Sequence, residues 1–145
     1  MNANDARISR VFTAQAGSVV EDNSPNAGPP KVNQYELVVQ LEAGEVIGQS
    51  GGNYRVNVTA INDNTAAPEA GLVPAGNPFN EQFDGEDPNN TATNWQRNGS
   101  DYARTIRATI NIPAGLTGRF HYNLEFTNNG FQVVDLGQSN AFILV

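Results

Sequence analysis

Cysteine is absent from the 145 residues. Its absence excludes a disulfide framework, a thiolate nucleophile, an iron–sulfur cluster and any zinc site built on thiolates. It does not fix the compartment, because secreted and cytosolic chains can both lack cysteine. Lysine is almost missing as well: Lys31 stands alone, and a formal charge of -7 with a sequence pI near 4.5 would repel phosphate backbones. No nucleic-acid partner is expected. No run approaches the roughly 18 consecutive apolar residues needed to cross a bilayer, so no membrane insertion is expected either. The opening residues MNANDARISR lack the apolar stretch of a secretory signal. Abundant Asn, Gly and Thr favour an exposed, turn-rich β-protein of an extracellular appendage or particle.

The length suits one domain, and 39% hydrophobic residues suffice for one core. The chain is organised around residues 102–126, YARTIRATINIPAGLTGRFHYNLEF. Ile106, Ile110 and Ile112, then Phe120, Tyr122, Leu124 and Phe126, recur with a period of two, the mark of strands with one buried face. The short Pro113–Gly118 link predicts that these two strands lie close together. Tyr35, Leu37, Val39 and Leu41 alternate in the same way, as do Tyr54, Val56, Val58 and Ala60. The Gly-rich stretch between them predicts a loose hairpin loop joining two antiparallel strands. Asn128, Asn129 and Gly130 predict a turn that brings residues 131–136 back beside 120–126. The terminal AFILV is apolar enough to require a place in a sheet.

Three segments read differently. Residues 1–16 hold an N-terminal strand, Arg7 to Ala16, with Ile8, Phe12 and Ala14 on one side and Val11 on the other, interrupted by Arg10 as an edge strand would be. Residues 17–33, rich in Pro and Gly, read as a linker. The body, 34–145, contains an irregular excursion over 62–101 with no surviving period, where loops carrying function are expected. The sum is an all-β fold of about seven to eight strands without substantial helix, a two-sheet antiparallel β-sandwich that is immunoglobulin-like or jelly-roll. The spacing of Leu116, Gly118, Phe120 and Tyr122 resembles the E-to-F corner of immunoglobulin-like domains. That resemblance covers the corner alone, since there is no Cys pair and Trp95 lies in the irregular segment; it implies a fold class and no function.

Candidate chemistry is sparse. His121 is the single histidine. A general base needs a nucleophile and an orienting partner and no GxSxG elbow accompanies it, so His121 reads as a solvent-facing strand histidine. Asp84, Glu86 and Asp87 are weak calcium candidates, carboxylates on a flexible loop without EF-hand spacing, joined by Asp63 and Asp101 only if the excursion folds back. Phe79, Phe83, Trp95 and Tyr102 lie among amides and carboxylates. They are candidate glycan-binding aromatics, or else rings that pin the loop to the sandwich. The triplets at Asn57, Asn89 and Asn98 match the glycosylation acceptor pattern, which a chain rich in Asn and Thr produces by chance.

The N-terminal strand gives the sharpest expectation. A tether of seventeen extended residues spans about 55 Å, enough to place Arg7, Ile8, Arg10, Val11 and Phe12 in a neighbouring subunit as an assembly strand. The alternative is a first strand in its own sandwich. The expected function is a non-enzymatic structural subunit without cofactors that forms a homo-oligomer through sheet edges or terminal strands, in a filament, appendage or virus-like particle. The alternative is a glycan-binding or adhesive module using the loop aromatics.

Overall fold

The protein is described by a computed structural model covering residues 1–85, 94–130 and 132–145. Nine strands run β1 (Ala6–Ala14), β2 (Gln34–Ala43), β3 (Asn53–Asn62), β4 (Phe79–Gln82), β5 (Gln96–Asn98), β6 (Asp101–Asn111), β7 (Gly118–Asn128), β8 (Val133–Gln138) and β9 (Phe142–Leu144). One short helix, α1 (Glu45–Ser50), and a single 3₁₀ turn (Ala70–Leu72) complete the described elements. All pairings are antiparallel. One sheet has the order β1-β2-β6-β5; the other has the order β4-β3-β7-β8, with β9 also on β7.

This is a two-sheet antiparallel β-sandwich. The order β1-β2-β6-β5 against β3-β7-β8 is that of strands A-B-E-D against C-F-G in immunoglobulin-like domains, with β4 as an extra edge strand beside C. The Leu116–Tyr122 stretch stands at the expected corner, between the fifth and sixth strands of that scheme.

One pairing differs from the sequence reading. The strands at 35–41 and 54–60 share a core but not a sheet: β2 pairs with β1 and β6, and β3 with β4 and β7. The helical turn α1 carries the chain between sheets where a hairpin loop was expected. β6 and β7, expected only to lie close together, stand in different sheets, and the Pro113–Gly118 link crosses from one to the other. Alternation reports which face of a strand is buried, and both sheets present the same pattern to the space between them. The expected partner of β7 is present as β8, and the apolar C-terminus is held as β9.

The core fills from both sheets, with Tyr35, Leu37, Val39, Leu41, Ile106 and Ile110 facing Tyr54, Val56, Val58, Phe120, Tyr122 and Phe126. Phe142 stacks on Tyr122 at 5.4 Å between centroids. The hydroxyls of Tyr35 and Tyr122 meet at 2.6 Å, and Tyr122 donates onward to the Leu72 carbonyl at 2.8 Å. Burial holds both phenols above their ordinary pKa, so neutral hydroxyls tie the two sheets and the 63–78 segment together.

β1 contains a bulge at Ser9 that resets its alternation. Ile8 faces Leu41, whereas after the bulge Val11 faces Val39 and Phe12 faces Val38. Val11 therefore enters the main core, while Phe12, Ala14 and Val38 form a separate buried cluster on the outer face of the sheet. This corrects the single-sided alternation read for residues 7–16: a uniform period cannot reveal an inserted residue.

Residues 17–33 do not form an extended tether. Asp22 N–H donates to Thr13 O at 2.8 Å, and Arg107, the cross-strand neighbour of Val38, donates to Ser18 O at 2.7 Å. The segment thus crosses the outer face beside Phe12. Buried Asn26 then exchanges two bonds with Val145, N–H to Oδ1 and Nδ2–H to O, both at 3.1 Å.

Candidate functional site

The edges of the two sheets differ sharply. On β1, Arg7 binds Glu42 through Nε and Nη2 at 2.8 and 2.6 Å, and Ile8 N–H donates to Asp135 Oδ2 at 2.8 Å. Arg10 lies over the Phe12 ring at 4.1 Å and 3.8 Å from Glu21. Thr13 N–H donates to Asn140 Oδ1 at 3.1 Å, and the Asn140 amide also reaches Thr13 Oγ1 and Asn23 Oδ1. Side chains of β8 and of the turn after it therefore plug the edge. Arg7, Ile8, Arg10, Val11 and Phe12 are all engaged within their own chain, with β1 laid along β2.

β3 is closed along its whole outer side. β4 pairs with Asn53 to Val56, and beyond it the 63–78 segment takes over. Asn77 accepts from Val58 N–H at 2.7 Å and donates to Val58 O at 3.1 Å, while Glu69 N–H bonds Ala60 O and Asn62 N–H bonds Ala67 O.

Among the described residues, β6 is less covered than β1 or β3. β5 covers only Asp101 to Ala103. The Asn98–Asp101 hairpin turns on Gly99 at φ 65, the positive φ that a two-residue turn demands. Outward orientation alternates along a strand. Because Thr13 N–H and C=O both point away from β2, counting across β2 turns the backbone groups of Thr105, Arg107, Thr109 and Asn111 away from β2 as well. Among the described residues their only partner is the Arg104 guanidinium, which donates to Thr105 O. Among the described residues no strand pairs with this stretch, where strand D of an immunoglobulin-like sheet would lie.

The candidate aromatics do not form an exposed platform. Trp95 is 0%, Tyr102 1% and Phe83 5% exposed, and Phe79 is half-buried against the core. Trp95 meets Tyr54 edge-on at 5.8 Å and Phe83 at 5.0 Å. Fully buried, its ring offers no surface to a sugar; the physical reason is that large rings in an irregular segment gain most by burial. Trp95 Nε1 donates to Tyr54 Oη at 3.1 Å, Tyr54 Oη donates to Glu81 Oε1 at 2.5 Å, and Arg104 binds both Glu81 oxygens at 3.0 and 2.8 Å. Burial alone would raise the Glu81 pKa, but the bonds from Arg104 and Tyr54 outweigh it and hold the carboxyl below its usual range.

Asp84 accepts the backbone N–H groups of Trp95 at 2.9 Å and Asn94 at 3.1 Å, which pins the return of the chain to β5. Glu86 and Asp87, like Asn89, lie outside the described residues. Asp63 sits at the far end of β3 from Asp84, some 30 Å along the strand at the usual rise, and no metal-binding group of three is found among the described residues.

His121 is half-buried, with Nδ1 2.5 Å from Asp63 Oδ1, and Arg119 Nε lies 3.2 Å from the other Asp63 oxygen. The solvent-facing reading missed this partner, which lies 58 residues away in sequence. Among the described residues no hydroxyl bonds to His121, so an oriented base stands without a nucleophile. Near the other end of the same sheet, Asn53, Arg55, Asn80, Gln82, Asn128 and Asn129 line a groove of about 340 Å³. Its amides come from β3, β4 and the β7–β8 turn, a convergence no linear pattern could display.

No protein-family model matches the chain, and no curated protein matches its sequence. The solved structures that it is similar to include the following two. A Niemann-Pick type C2 protein from Japanese carpenter ant is 8% identical with a TM-score of 0.42, over 99% of this chain and 96% of that one. A β-glucuronidase from Bifidobacterium dentium is 12% identical with a TM-score of 0.41, over 97% of this chain and 18% of the enzyme. At that distance neither carries an activity across. The fold defines a β-sandwich module.

Proposed function

We propose that the chain is a non-catalytic structural subunit that assembles with copies of itself through the unpaired edge of β6. The observation supporting this reading is the contrast between edges: β1 is plugged by Asp135 and Asn140 and β3 is closed by the 63–78 segment, yet Thr105 to Asn111 present an open ladder. An open edge is a template for another strand. The assembly surface thus moves from the N-terminal strand to β6. Light scattering over a concentration series tests the proposal on the wild type and Thr109→Pro. Proline there removes an outward N–H and spares the ladder to β2. Species larger than a monomer that dissociate in the variant support it; a wild-type monomer at every concentration refutes it.

The amide-lined groove favours a second reading, binding of a neutral glycan through planar hydrogen-bonding side chains rather than stacked rings. Retention on a glycan array, lost in Asn80→Ala with Gln82→Ala, would support it. Retention unchanged by that pair of substitutions would remove it.

A further inference from the structure

We propose that the partner of the open β6 edge is the same edge of a second copy, antiparallel about a two-fold axis at Ala108, so that assembly closes at a dimer. This rests on the reading of β6 as the assembly surface and adds to it a register and an end point.

The register follows from what bounds the open stretch. At one end β5 covers β6 up to Ala103; at the other the chain turns away at Pro113, which has no N–H to offer. The window from Arg104 to Ile112 is centred on Ala108. Two antiparallel copies superpose their windows only when Ala108 lies opposite itself. Thr105 then exchanges bonds with Asn111, and Arg107 with Thr109, each twice by symmetry. Moving the axis to Arg107 drives β5 of each copy against Asn111 of the other and sets Arg107 opposite Arg107, a like-charge pair. Moving it to Thr109 puts Pro113 into the ladder. At Ala108 no like charges are opposed, each Arg107 keeps its own Glu36 at 3.2 Å, and Ile106 falls opposite Ile110.

Closure follows from symmetry. A two-fold contact uses the same edge on both copies and leaves no complement for a third. Of the other edges, β1 and β8 lie against each other, with Ile8 N–H bonded to Asp135 of β8, and β4 and β5 are only 4 and 3 residues long. An isologous dimer therefore replaces the filament that head-to-tail strand exchange would build.

The cysteine-free chain makes the test direct. In the full-length protein, Ala108→Cys should give a covalent dimer under mild oxidation. Thr105→Cys and Asn111→Cys should each stay uncrosslinked alone, because the same residue in the two copies lies about 20 Å apart, beyond the ~7 Å a disulfide spans. Mixed together, the two should crosslink to each other. The mixture also serves if Ala108→Cys fails to fold, since Thr105 and Asn111 are exposed. A covalent dimer from Thr105→Cys alone would overturn the register. Wild-type species larger than a dimer would overturn closure while leaving β6 assembly standing, and a wild-type monomer would overturn both.

Discussion

Arg104 on β6 and Glu81 on β4 bind each other across the two sheets, Nη2 to Oε2 at 2.8 Å and Nε to Oε1 at 3.0 Å, with both side chains 18% exposed. Removing one partner strands the other in a poorly hydrated place. Arg104→Ala should cost about 2–4 kcal/mol in urea unfolding. A cost below ~1 kcal/mol would mean that water takes the place of the guanidinium.

The same pair sets an acid limb. The Glu81 carboxyl lies below its ordinary value of 4.5 in the fold. Its contribution is therefore complete above the unfolded value and is lost as pH falls through the folded one. Stability of the wild type should decline on acidification below about pH 5, and Glu81→Gln should start lower and decline less steeply. Parallel curves for the two proteins would contradict the assignment.

Trp95→Ala should destabilise by about 3–5 kcal/mol, as removal of a fully buried large ring does. Near-native stability with lost ligand retention is the opposite outcome, and would show that the ring is available to solvent.

Asn140→Ala leaves Thr13 N–H and Asn23 without their partner. The expected cost is about 1–3 kcal/mol for the abandoned groups. Light scattering should also show larger species than in the wild type, because a second sheet edge has been opened.

Deleting residues 1–33 should abolish cooperative unfolding rather than release a folded monomer. The deletion strips β1 from β2 and removes Asn26 from Val145. A truncated protein with a sharp melt would show that the sandwich stands without its first strand.

The buried faces of β2, β3, β6 and β7 were legible in the sequence because large apolar residues recur at alternate positions in each, with Val38 and Arg104 the departures, and the return of β8 was legible in Asn128, Asn129 and Gly130. Pairing was not, since Leu37 and Val56 face the same core from opposite sheets. The phase of β1 was hidden by one residue, Ser9. That β6 beyond Ala103 has no ladder partner among the described residues was hidden for a different reason: β5 is short, and nothing in the β6 residues records it. Asp63 beside His121 and the amides of the groove are products of tertiary fold alone.

The Ser9 bulge gives β1 two reading frames. Before it, even-numbered residues look inward; after it, odd-numbered ones do, so Val11 and Phe12 can both be buried, one on each side of the same ribbon. Deleting that one serine would translate the rest of the strand into the wrong frame, sending Phe12 toward the interior and Val11 toward the overlying segment. In an alignment of variants, substitutions along β1 would be tolerated far more readily than a single gap.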